Sequence, residues 1–72
     1  MSASQRREEI LTLLKKNRGK TLSASLIASH FHVSRQIIVG DIALLRAGGA
    51  DIVSTARGYL LQGGGEGVVR VI

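Results

Sequence analysis

The stretch HFHVSRQIIVGDIALLR, residues 30–46, decides the fold. Ser34 has the hydroxyl that favours a helix N-cap. Beyond it, Ile38, Ile42 and Leu45 recur at i, i+4 and i+7, the period of one helical face. Gly48-Gly49 then supplies a stop. A helix is expected over about Arg35–Ala47. Upstream, Ser23 is placed to cap a shorter helix from about Ala24 to His30, with Leu26, Ile27 and Phe31 as its apolar contacts. The residues HVS form a tight turn between the two, with Val33 pointing inward. Two short helices joined by a turn of this length make a helix-turn-helix.

Gly40 interrupts this reading, because a mid-helix glycine costs about 1 kcal/mol relative to alanine. At about 100° per residue, Gln36, Gly40, Ala43 and Ala47 fall opposite the apolar stripe. A face that meets only water usually carries Lys and Glu, whereas this one is small and almost uncharged. It suits close approach to another macromolecule, with Gly40 leaving the backbone bare. A neutral, tolerated position is the other reading of that glycine.

Working outward, Ser2 through Arg18 reads as a first helix. Ser2 and Gln5 can form a capping box. Ile10, Leu13 and Leu14, widened by Leu11, form its apolar stripe, and Gly19 is its expected stop. Glu8 and Glu9 are expected near the positive helix start, and Lys15, Lys16 and Arg18 near the negative end. After Gly49 the period changes. DIVSTARGYLL is rich in β-formers and reads as two strands, about Asp51–Thr55 and Tyr59–Gln62, with Gly58 taking a positive φ at the turn. The fold class is therefore mainly α with a small β-hairpin, a winged helix-turn-helix over residues 1–62. GGGEG is a linker by composition. VVRVI at Val68–Ile72 is expected to begin a second domain that is absent here, or to add a third strand to the small sheet.

With 72 residues the chain supports one small core, and an enzyme is not expected. Ten Lys and Arg against five Asp and Glu give a net charge of +5, which attracts polyanions: nucleic acid first, an anionic membrane second. Aromatics are 3%, Phe31 and Tyr59 alone, too few for the stacking platforms of single-strand binders. The absence of cysteine excludes disulfides and thiolate metal sites and fits a cytoplasmic protein. No apolar run is long enough to span a membrane, and the first residues lack the apolar centre of a signal peptide.

Candidate DNA contacts follow from side-chain chemistry. Gln36 can pair bidentately with adenine, Arg35 can reach guanine or phosphate, and Ile37 can touch a thymine methyl. Ser23 and Ser34, besides capping, place hydroxyls and free N–H groups where a phosphate can bind. Arg57, at the hairpin tip, is either a probe for a minor groove or a solvated turn residue. Lys15, Lys16, Arg18 and Lys20 are explained by helix-end electrostatics or by phosphate contact. His30 and His32 form H-x-H without further ligands, so no metal site is expected. GGGEG lacks the lysine and context of a phosphate loop.

The run VSRQIIVGDIALLRAGGADIVSTARGYLL resembles the DNA-binding domain of the niacin-responsive repressors of NAD biosynthesis, the NiaR or 3H-domain regulators. The likeness covers roughly Arg7 to Leu61 and is strongest at VSRQ, GDIALLRA and RGYLL. The biotin repressor is a broader relative. The resemblance implies a repressor that binds double-stranded DNA as a homodimer. It also implies nicotinic acid and a divalent metal bound in a following effector domain, so no cofactor is assigned to this chain. A protein-interaction winged helix, and a DNA-binding appendage of a biotin-repressor-like enzyme, are the competing readings.

Overall fold

The structure is a computed structural model that describes residues 1–62; the expected linker and terminal strand over 63–72, and the domain boundary between them and the winged unit, lie outside the described residues. Helix α1 (Ala3–Lys16) opens with the expected capping box. The Gln5 N–H donates to Ser2 Oγ at 3.1 Å, and the Ser2 N–H donates to Gln5 Oε1 at 3.3 Å. Ile10 and Leu14 are buried, with Leu11 and Leu13 packed beside them. The helix ends earlier than expected. Asn17 caps it, donating from Nδ2 to the Leu13 carbonyl at 2.9 Å, and Gly19 turns the chain beyond it at φ +90°. Glu8 and Glu9 fall past the first turn, so they do not meet the positive end of the helix as expected.

Helix α2 (Ala24–Phe31) is capped by Ser23, whose Oγ accepts from the Leu26 N–H at 3.0 Å. Its buried stripe is Ala24, Ile27 and Ala28. Leu26, expected as an apolar contact, is instead 52% exposed. The stripe runs i, i+3, i+4 through two alanines and reaches half-buried Phe31 at i+7, which turns Leu26 away. His32 ends the helix in the left-handed region at φ 58°, and Val33 packs against the core.

Helix α3 (Arg35–Ala47) has the expected bounds, with Ser34 Oγ accepting from the Ile37 N–H at 3.2 Å. At its end the Gly48 N–H donates to Leu44 and Leu45 carbonyls. Ile38 and Ile42 are fully buried, and Leu45 packs against them. The largest buried side chains are Ile10, Leu14, Ile27, Ile38 and Ile42, drawn from all three helices. Each withdraws enough apolar surface to contribute about 1.5–3 kcal/mol.

Strands β1 (Ile52–Thr55) and β2 (Gly58–Leu61) pair antiparallel, from Ile52 opposite Leu61 to Thr55 opposite Gly58. The turn is therefore Ala56-Arg57. Strand β1 starts one residue later than expected and ends where expected, and β2 lies one residue earlier; Asp51 and Gln62 fall just outside, joined by a 2.9 Å bond from the Gln62 N–H to the Asp51 carbonyl. Thr55 Oγ1 accepts from the N–H groups of Arg57 and Gly58, both at 3.2 Å, and donates to the Gly58 carbonyl. The hairpin is also tied to the helices. Leu22 and Tyr59 form an isolated antiparallel bridge beside the start of α2.

Candidate nucleic-acid interface

Helix α3 owes its orientation to its two unlike sides. Ile38 and Ile42 fix one side in the core. Gln36, Gly40, Ala43 and Ala47 are all exposed on the other. A Cβ added at Gly40 would have no heavy-atom neighbour within 4 Å, so nothing in the fold itself calls for a glycine there. Ile37 is 42% exposed at the start of the same helix. Ser34, Arg35 and Arg57 are exposed, and Ser23 is half-buried.

Residues far apart in sequence meet at one place. An open cleft of about 370 Å³ is lined by Ser23, Ser25, Arg35, Thr55 and Arg57, among others. It brings the start of α2, the first residue of α3 and the hairpin tip around one opening. Free N–H groups at a helix start and two guanidiniums make such a cleft attractive to an anion. Gln36, Ile37 and Gly40 do not line it; they belong to the adjoining face of α3.

Asp41, unremarked in the sequence, is the buried charged residue among those described, at 4% exposure. Arg6 holds it with two bonds, Nε to Oδ2 at 2.5 Å and Nη2 to Oδ1 at 3.2 Å. Arg7 Nη1 adds a longer one to Oδ1 at 3.4 Å. The hydrogen bond to Asp41 raises the Arg6 pKa; burial opposes the shift and the carboxylate's charge adds to it. These contacts clamp the start of α1 to the middle of α3. The sequence holds part of the signal, since Asp41 sits at i+3 from Ile38 on the edge of the apolar stripe and Arg6 and Arg7 precede Ile10 by four and three residues, but nothing local pairs them.

His30 packs edge-on to Phe31 with ring centroids 4.8 Å apart, and His32 forms the left-handed cap of α2. Among the described residues no group of three or more His, Cys, Asp or Glu could hold a metal ion. Nor is any helix there long and apolar enough to cross a membrane.

Residues 6–60, from within α1 through most of β2, match the helix-turn-helix domain family. The chain belongs to that family. It is also similar to the probable transcription repressor NiaR of Thermotoga maritima, with 43% identity over 68 residues, 94% of this chain and 38% of that protein. The transcription repressor NadR of Bacillus subtilis is 37% identical over 60 residues, covering 83% of this chain and 33% of that one. This helix-turn-helix chain thus spans about a third of the length of these relatives. Three helices and a two-stranded hairpin agree with a winged form of the fold.

Proposed function

We propose that this chain is the DNA-binding unit of a bacterial transcriptional repressor of NAD or niacin metabolism. It binds double-stranded DNA with sequence preference. Helix α3 lies in the major groove and the hairpin rests near the adjacent minor groove. The observation that carries this reading is the outward side of α3: an uncharged surface with a bare backbone at Gly40, beside a cleft that gathers Arg35 and Arg57. Small residues let a helix sit deep against base edges, with Arg35 at its start and Arg57 on the adjoining hairpin reaching the grooves on either side.

Gln36 and Arg35 read bases, with Ile37 against a thymine methyl. Ser23 and Ser34 hold phosphates through helix-start N–H groups. Arg57 enters the narrow groove, where the potential is most negative. The role is non-catalytic, and the site of action is the cytoplasm, where the chromosome of a bacterium lies. Two copies act on a palindromic site, because a single module covers only about 600–1,000 Å² of surface. As effectors, nicotinic acid and a divalent metal are bound outside residues 1–62.

Titration of fluorescein-labelled duplex DNA with the chain, at low and at raised salt, tests this. Binding that weakens steeply and log-linearly with salt is expected. No binding at low ionic strength overturns the proposal. Self-association without DNA affinity, using exposed Leu26, Val39 and Leu44, would mark a protein-interaction domain instead.

A further inference from the structure

Two guanidiniums converge on one buried carboxylate, and they are not equivalent. Arg6 satisfies both oxygens of Asp41, with contacts of 2.5 and 3.2 Å. Arg7 reaches Oδ1, an oxygen already taken, at 3.4 Å. The Arg6 side chain is 16% exposed and that of Arg7 28%. One negative charge answers two positive ones, so the cluster carries a net charge of +1. Arg6 supplies the bidentate geometry that fixes an ion pair. Arg7 holds a marginal bond it can exchange.

The position of the cluster gives that surplus charge a use. On the wheel of α3, Arg35 and Asp41 lie on opposite flanks of the buried stripe, about 120° apart through Ile38. Arg35 faces the cleft shared with the hairpin. Asp41 lies on the other flank, between Ile37 and Leu44 at i−4 and i+3, both exposed. A helix in a major groove has a phosphate strand along each flank. The hairpin and the helix-start N–H groups serve one strand. On the flank of Asp41 the start of α1 overhangs α3 and offers Arg7.

We propose that Arg7 is a DNA-backbone contact on the side of α3 remote from the hairpin, released from Asp41 to a phosphate while Arg6 keeps α3 in place. The inference rests on the DNA-binding reading above. It assigns the two neighbouring arginines separate tasks: Arg6 positions the recognition helix, and Arg7 grips the nucleic acid.

The test compares wild type, Arg7→Ala, Arg7→Lys and Arg6→Ala in anisotropy titrations against random-sequence and palindromic duplexes over a salt series, with thermal melts of each protein. Arg7→Ala is expected to weaken both duplexes alike, several-fold, and to lower the log–log salt slope by about one. Its melting temperature stays close to wild type. Arg7→Lys is expected to restore the slope, because a point charge suffices for a phosphate. Arg6→Ala is expected to lose melting temperature first. An unchanged affinity and slope in Arg7→Ala overturns the inference, as does a melting loss equal to that of Arg6→Ala. A wild-type chain that fails to bind either duplex overturns the DNA-binding reading itself, an outcome visible before any variant is made.

Discussion

Leu22 and Tyr59 exchange both of their backbone hydrogen bonds, each 2.8 Å, and so fasten the hairpin to the segment that enters α2. Gly58, next to Tyr59, lies close against Leu22 and Ser23. Its φ of +146° disfavours any L side chain, and an added Cβ would press into the Leu22 carbonyl and lie 2.7 Å from Ser23 Cα. Gly58→Ala is therefore expected to destabilise the fold, by on the order of 1–3 kcal/mol from backbone strain alone. The overlap with Leu22 adds to that cost. Urea unfolding measures it, and a variant as stable as wild type contradicts this account of the hairpin anchor.

Gly40 behaves in the opposite way. Its backbone is helical, and a Cβ would point into open space. Gly40→Ala should raise stability by about 0.5–1 kcal/mol through helix propensity. If α3 packs against base edges at this point, the same methyl reduces DNA affinity. A gain in melting temperature joined to a loss of binding is the expected pair of results. Alanine that stabilises the chain and leaves binding unchanged removes Gly40 from the interface.

Much of this was readable from residue order. Three serine caps, at Ser2, Ser23 and Ser34, and the period of Ile38, Ile42 and Leu45 placed the helices, because these signals are local. Gly58 was legible as a turn glycine, but its approach to Leu22 was not. A single-residue bridge between segments 37 positions apart leaves no periodicity to detect. Leu26 misled because an eight-residue helix samples barely two turns, and the stripe is carried by two alanines that any hydropathy reading underweights. The Asp41 clamp was missed for a related reason. A charged residue at the edge of an apolar stripe reads as solvated until another helix brings its countercharge. The cleft joining Ser23, Arg35 and Arg57 is likewise a product of tertiary folding.

The clamp itself makes a prediction about pH. Asp41 raises the pKa of Arg6 above a value already far on the alkaline side. A raised folded-state pKa contributes stability that is complete below the unfolded-state value and is lost only as pH climbs through the folded one. The Arg6 contribution is thus expected to be constant from neutrality to about pH 10. Arg6→Ala and wild type should show the same difference in melting temperature throughout that interval. Asp41→Asn keeps the shape but removes the charge and should also melt lower. In a domain this small each kcal/mol lost corresponds to about 4–8 °C. A difference that shrinks steadily between neutrality and mildly alkaline pH would assign the effect to another group.

The sharpest division among surface residues lies between those that read bases and those that hold phosphates. Gln36 is exposed on α3 beside Gly40, Arg35 stands at the helix start, and Lys20 is exposed ahead of α2. A bidentate side-chain-to-base pair contributes about 1–3 kcal/mol of discrimination against the wrong base. Gln36→Ala and Arg35→Ala should therefore lose preference for a selected duplex more than they lose affinity for random DNA. Lys20→Ala, if it touches a phosphate, should weaken every duplex alike and reduce the salt slope by about one. Arg57→Ala should act chiefly on duplexes with a narrow, A·T-rich minor groove, where an inserted arginine gains most from the negative potential. Selection of preferred duplexes from a random pool, repeated with the Gln36, Arg35 and Arg57 variants, measures the changes in preference, and a salt-series titration measures Lys20→Ala. If the pools recovered by Gln36→Ala and Arg35→Ala match the wild-type pool, α3 is not the reading helix, because a helix lying in the groove cannot lose those side chains without changing what it selects.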